Sequence, residues 1–387
     1  MIRVAVQPEL LRWARERAGL DAVELEGRFP KLPEWEAGDV QPTLRQLESY
    51  ARATHAPVGY FFLPRPPEEP LPIPDFRTIG DRAIARPSAD LLDTLYACQA
   101  RQAWYRDEAL VTGQRPLPFV GSLDISISPD RAAEQLRQVL GFSVQARREC
   151  PSWTEALRLF VVQADALGVL VMISGVVGNN NTRVLDPEEF RGFALADVLA
   201  PLVFINGADS KSAQMFTLAH ELAHLWLGQS ALSDSGVEAA GHAQPGTGIE
   251  DWCNKVAAEL LVPLPVFIAA LREDEVLDDA LRRLAREFKV STLVVLRRML
   301  DAGRLGRDAF WQAFRAEQAR LAAIQAANSG GGDFYRTTTA RVGKRFARSL
   351  VASTLEGRTL YRDAFQMLGI AKTGTFNELG RSLGLPT

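Results

Sequence analysis

Two histidines, His220 and His224, enclose Glu221 in the run His220-Glu221-Leu222-Ala223-His224. The flanking residues, from Gln214 to Leu227, are largely apolar and compatible with a helix. On a helix, positions four apart share a face, so both imidazoles can reach one metal ion. Glu221, one step round, sits near that ion's open position. Two His ligands for Zn²⁺, with a carboxylate that takes a proton from water, are parts for metal-assisted hydrolysis. The competing explanation is a chance match on a core helix. Against it, burying two His and a Glu costs free energy unless they are paired or bound to metal. The sequence holds four histidines, and two of them fall in this run.

A three-ligand site needs one more group. Glu250 to Val262 reads as a second helix, ended by Pro263 and Pro265. Along it Glu250 and Asn254 share a face, while Cys253, Val256, Ala257 and Leu260 form the apolar one. A Glu on a second helix beyond the His-Glu-x-x-His helix is the gluzincin solution, which makes Glu250 the first candidate and Asp251 the second. Glu259 lies nine residues past Glu250, roughly half a turn round the wheel, and cannot share its face. A metzincin would carry its third His six residues beyond His224, where Ser230 stands. His242 falls in Ser230 to Gly248, which reads as an irregular, solvated surface loop. His242 and Arg191 are the candidates for contacting substrate or its transition state.

The elements that must position these groups surround them in the chain. Trp153 to Leu167 reads as a helix stopped by Gly168, and residues 88 to 110 and 129 to 140 read as amphipathic helices. Strands are expected at 169–173, 191–196 and 201–206, just before the metal helix. Zinc peptidases commonly place a small sheet there, whose edge strand pairs with the substrate backbone. Ala208-Asp209-Ser210 supplies an N-cap for the metal helix. Residues 276 to 300 read as a packed helix pair dotted with arginines. Residues 307 to 327 are helical, and Asn328-Ser329-Gly330-Gly331-Gly332 is a flexible break.

The two ends differ in charge. Residues 1–75 hold nine Lys/Arg against twelve Asp/Glu, and residues 333–387 hold nine against four. Residues 7 to 63 read as a small helical unit. Its stretches "LLRWARERAGL", "WEAGDVQPTLRQLESYA" and "PVGYFFL" resemble the Xre-type helix-turn-helix fold of phage repressors. The interval from Leu25 to Trp35 is short for a turn plus a recognition helix, and Pro30 and Pro33 interrupt it. A DNA-binding face should be basic, and this unit is acidic. A structural or protein-docking module is the favoured reading, with DNA binding the alternative. "PRPPEEPLPIP", from Pro64 to Pro74, has the composition of a stiff linker, and Asp75-Phe76-Arg77-Thr78 follows it. The basic tail reads as two or three short helices that could meet nucleic acid, an acidic partner or the acidic N-terminal unit.

At 387 residues the chain should hold two or three domains. Its hydrophobic content of 47% and charged content of 24% are ordinary for a globular protein. No apolar run reaches the length of a membrane span, and no signal peptide opens the chain. Cys98, Cys150 and Cys253 are scattered without Cys-x-x-Cys spacing, which argues for a reduced, cytoplasmic protein without a disulfide frame.

"FTLAHELAHLWLG" followed by "IEDWCNKVAAELLVP" resembles the ImmA/IrrE family of zinc metallo-endopeptidases, over roughly residues 150 to 300. With the Xre-like start, the layout resembles a subgroup found with phage and toxin–antitoxin modules. The resemblance implies a regulatory zinc endopeptidase that cleaves a repressor-like or toxin/antitoxin-type protein. The alternative is an antitoxin or transcriptional regulator that acts by protein or DNA binding, with the peptidase fold as a sensor. Many members carry a second Glu two residues before the Asn of the third-ligand helix; here that position is Trp252. The expected fold is α+β and mostly helical, a zincin-like core flanked by helical units. The expected division is a helical domain at 1–75, a peptidase domain at 76–327 with a helical insertion at its start, and a basic helical domain at 333–387.

Overall fold

The structure, a computed structural model, describes residues 3–74, 87–233, 248–327 and 338–386. The chain divides into two compact units, Met1–Pro72 with Ala85–Leu95, and Ile73–Ile84 with Tyr96–Thr387.

The first unit holds four helices, Pro8–Arg17 (α1), Ala22–Glu26 (α2), Leu32–Ala37 (α3) and Leu44–Ala53 (α4), then a 3₁₀ turn at Val58–Phe62. Thr43 caps α4 through a reciprocal pair with Gln46, and Asp21 with Glu24 does the same for α2. Leu10, Leu11, Leu32, Trp35, Leu47, Tyr50 and Phe61 form its core, and the Tyr50 hydroxyl donates to the Leu11 carbonyl at 2.9 Å. Pro33 does not interrupt a helix. It lies in the first turn of α3, where a proline's missing N–H costs nothing. That helix is nevertheless only six residues long. The Pro64–Pro74 stretch is not a free spacer either, because Arg17 holds Glu69 at 2.6 Å and Asp93 at 3.3 Å.

The second unit is built on four short strands, Leu170–Ser174 (β1), Gly192–Leu195 (β2), Leu202–Asn206 (β3) and Ala231–Ser233 (β4). Their order is β1-β3-β2-β4, with β1 parallel to β3 and the other pairs antiparallel. The three expected strands are present. The loop expected from Ser230 needs correcting at its start, since β4 closes the sheet there. Helices Ala89–Val111 (α5), Pro129–Leu140 (α6), Val144–Arg148 (α7) and Trp153–Leu167 (α8) precede the sheet, with α5 entering this unit at Tyr96. Lys211–Trp226 (α9), Gly248–Leu261 (α10), Leu264–Ala270 (α11), Leu277–Phe288 (α12), Thr292–Asp301 (α13) and Arg307–Ala327 (α14) follow. The tail adds Thr338–Val342 (α15), Lys344–Leu355 (α16), Tyr361–Leu368 (α17) and Thr373–Ser382 (α18).

Alternation along the strands splits the core into two layers. Val171, Ile173, Ala194, Val203 and Ile205 join the cluster that contains α8, α9 and α10. Phe193 and Phe204 stack at 5.0 Å. Cys98 of α5 reaches Met172 of β1 at 3.9 Å, and Trp104 of α5 meets Phe346 of α16. The basic tail therefore packs within the second unit. Gly343 enters at φ +80°, and a Cβ there would lie 2.8 Å from the Val171 carbonyl oxygen, so only glycine permits this approach to β1. Two arginines of the α12–α13 pair are tied down, Arg283 by Glu275 and Glu287 and Arg298 by Glu259 and Asp301, while Arg282 and Arg286 are exposed. The architecture is mostly helical with one small mixed sheet, an α+β fold. Among the described residues no single helix is long and apolar enough to cross a membrane.

Candidate metal centre

Helix α9 starts at Ser210, whose hydroxyl accepts from the Ala213 amide at 3.3 Å. Gln214 adds a second brace by donating to the carbonyls of Gly207 and Asp209. Every residue from Gln214 to Trp226 is buried, because the helix has the sheet on one side and α8 and α10 on others. His220, Glu221 and His224 are each fully buried.

The two imidazoles turn their Nε2 atoms toward each other, 3.1 Å apart. Glu250, in the first turn of α10, completes a triangle: one carboxylate oxygen lies 3.2 Å from His220 Nε2 and the other 3.0 Å from His224 Nε2. Asn254, one turn further along α10, places Oδ1 3.0 Å from His220 Nδ1. An amide oxygen can only accept, so His220 carries its proton on Nδ1 and its Nε2 lone pair points into the triangle.

The electrostatics match this crowding. Burial opposes a charge on Glu250, yet the two imidazoles outweigh it and hold the carboxyl down at about 2. Burial also opposes a charge on His220, and Glu250 outweighs it, so that imidazole is raised. His224 is lowered, chiefly by burial. Three lone-pair donors this close repel unless a proton or a cation lies among them. The two nitrogens are 3.1 Å apart and each meets a carboxylate oxygen at 3.2 or 3.0 Å, separations close to those between neighbouring ligands of one ion held by zinc–ligand bonds of roughly 2.0–2.2 Å. The donor set of two imidazoles and a carboxylate fits a metal, and His220, His224 and Glu250 are the one such group among the described residues.

Glu221 faces the sheet. A Cβ on Gly192 would stand 3.2 Å from its Oε1, 2.5 Å from Thr217 Cγ2 and 2.8 Å from the Phe204 carbonyl. The side chain that β2 lacks at Gly192 is the space Glu221 uses. Sequence reading missed this glycine; its signal was a lone Gly at the start of a strand.

Asp251, Glu259 and Arg191 have ionic partners of their own. Asp251 points outward and binds Lys255 at 2.5 Å. Glu259 binds Arg298 at 2.6 Å and accepts from the Leu264 amide, so it joins α10 to α11 and α13. Arg191 pairs with Asp209 at 3.6 Å, at the start of α9. His242 lies outside the described residues, as does Asp75-Phe76-Arg77-Thr78.

Residues 164–300 match the IrrE N-terminal-like domain of the M78 peptidases. That span takes in all four strands and the whole His220–His224–Glu250 set. The M78 domains are metallopeptidases, so the match and the triangle of donors point to the same chemistry. Residues 342–382, most of the tail, match a domain of unknown function (DUF8813). No curated protein matches the chain.

Proposed function

We propose that the protein is a zinc-dependent, gluzincin-like endopeptidase with a regulatory role, acting on a repressor-like or toxin/antitoxin-type protein. The observation that carries this reading is the convergence of His220 Nε2, His224 Nε2 and the Glu250 carboxylate within 3.2 Å of one another, inside the M78 match.

Zinc, when bound by His220, His224 and Glu250, supplies Lewis-acid chemistry that polarises an amide carbonyl and acidifies water. The chain's own groups do the rest. Asn254 holds the His220 ring in one tautomer. Glu221 accepts the proton of the attacking water on its carboxylate and returns it to the departing amine. β4 lies at the end of the sheet order, and its Leu232 amide already donates to the Pro74 carbonyl at 3.0 Å, so an extended substrate backbone would have to displace Pro74 to pair there. Arg191 and His242 remain the candidates for contacting substrate.

The first unit is proposed as a protein-docking module. On α3, where a recognition helix would lie, the exposed side chains are Pro33, Glu34 and Ala37. None of these attracts phosphate. The competing reading is an antitoxin or regulator that binds without cutting. Co-expression of wild type and Glu221→Gln with the product of a neighbouring gene separates the two. Cleavage by the wild type alone supports the peptidase; a stable complex with both, and cleavage by neither, overturns it.

A further inference from the structure

Glu250 is the one ligand of the triangle that α9 does not carry, so its place depends on α10. It sits in the first turn, the part of a helix with fewest backbone bonds of its own. The far end of α10 is held by three arginines. Arg137 donates to the Glu259 carbonyl at 2.7 Å, Arg147 to the Leu261 carbonyl, and Arg298 to the Val262 carbonyl at 2.8 and 2.7 Å. These ties stop the helix from sliding, but they act about 13–18 Å along the axis from Glu250. The freedom left at Glu250 is opening or rotation of the first turn.

Trp252 meets that freedom directly. It stands two residues past Glu250, is 4% exposed, and donates from its indole N–H to the Ile127 carbonyl at 2.7 Å. Its acceptor is fixed in turn: the Ile127 amide bonds the Asp124 carbonyl, and Ser126 bonds the Asp124 side chain, in the turn that leads into α6. The first turn's other side-chain tie, Asp251 to Lys255, is exposed and stays within α10. Among the described residues, and apart from Glu250's own contacts with α9, Trp252 is the residue of this turn that a side-chain hydrogen bond of 2.7 Å ties to another element.

We propose that Trp252 is a positioning residue for the metal centre, its indole N–H on Ile127 holding the first turn of α10 so that Glu250 meets both imidazoles. This rests on the zinc reading of the site.

The test uses full-length protein, stripped of metal. Zinc affinity is read by competition with a chromophoric chelator, and site geometry from the visible bands of the Co²⁺-loaded form. Trp252→Phe keeps an aromatic ring and removes the donor. It should bind zinc about tenfold more weakly, as metal sites do when a supporting hydrogen bond is lost. Its cobalt bands should change, and its metal-free fold should lose little. Lys255→Ala should match wild type. Should Trp252→Phe fail to fold, Trp252→Leu, which also lacks a donor, carries the same comparison. Wild-type zinc affinity in the folded variant, with unchanged cobalt bands, overturns the proposal while leaving the zinc reading in place. Wild type that binds no zinc overturns both.

Discussion

Asn254 Oδ1 and His220 Nδ1 lie 3.0 Å apart, and this contact joins the two helices that share the metal triangle. It fixes which nitrogen of His220 faces Glu250. Asn254→Ala removes the acceptor and leaves the ring free to turn. Zinc affinity should fall by roughly 10- to 100-fold, the usual cost of losing a partner behind a ligating histidine. Asn254→Asp retains an acceptor and should bind more tightly than Asn254→Ala. Chelator competition on the two variants checks this order.

The identity of the third ligand is tested by charge removal. Glu250→Gln should lose most of its zinc on dialysis, because a neutral amide is a weaker ligand than a carboxylate. Asp251→Asn should keep its zinc, since that side chain binds Lys255 in solvent. Metal analysis of matched samples decides it. Full zinc in Glu250→Gln would remove the gluzincin assignment.

These residues were legible to different degrees. The His220-Glu221-x-x-His224 pattern and the face of Glu250 follow from one local rule, the helical repeat, so sequence alone places them. The long strands announce themselves by apolar runs. β4 does not: three residues, Ala231–Ser233, are too few to show alternation, and only pairing with β2 makes them a strand. The partners of Asn254, Glu259 and Trp252 were hidden for the same reason. The His220, Arg298 and Ile127 ends of these contacts each lie more than thirty residues away in sequence, so no window contains both ends. The tail's basic charge was visible, but its packing within the second unit depends on Gly343 and on aromatic contacts with α5.

Protons compete with zinc for the imidazoles, and the shifts give the sign. His220 is raised, so in the metal-free protein it is already protonated above the ordinary range near 6.5. Apparent zinc affinity should therefore begin to fall while pH is still above that range. Glu250 is held down at about 2, so it takes no part in this loss. Its contribution to metal-free stability is complete above its ordinary value of 4.5 and is lost as pH falls from there through about 2. Zinc titrations across pH, with acid unfolding of wild type and Glu250→Gln, check both. A Glu250→Gln acid-unfolding curve of the same shape as wild type would remove the link to Glu250.

Gly192→Ala should separate catalysis from metal binding. Its methyl group would meet Thr217 Cγ2 and the Phe204 carbonyl at under 3 Å and press on Glu221. Overpacking of this kind costs about 1–3 kcal/mol. The strain falls on Thr217, the β3 backbone and Glu221 rather than on the triangle, so zinc content should hold while cleavage of the identified target drops. Denaturant titration, metal analysis and the cleavage rate are the three readouts.

Two arginines at the end of α10 should respond in opposite directions to the same change. Arg298 is almost wholly buried and binds Glu259, Asp301 and the Val262 carbonyl. Arg298→Met would leave Glu259 without its cationic partner, while Asp301 keeps Arg297 at 3.2 Å; the cost should be about 3 kcal/mol, since Glu259 keeps some contact with water. Arg147 is fully buried, and its described contacts are the Leu261 carbonyl and the Phe142 ring; among the described residues its Nε and Nη1 have no hydrogen-bond partner. Burial pushes its pKa down to about 9, below its ordinary value of 12.5. A base lowered on folding makes the folded state less stable at pH values where it must stay charged, and that cost is relieved as pH rises from about 9 toward 12.5. Arg147→Met removes the cost and forfeits one hydrogen bond to a carbonyl, so at pH 7 it should leave stability unchanged or raise it. Urea unfolding of the two variants at pH 7 checks the contrast. A large loss in Arg147→Met, equal to that in Arg298→Met, would mean that Arg147 has an anionic partner outside the described residues.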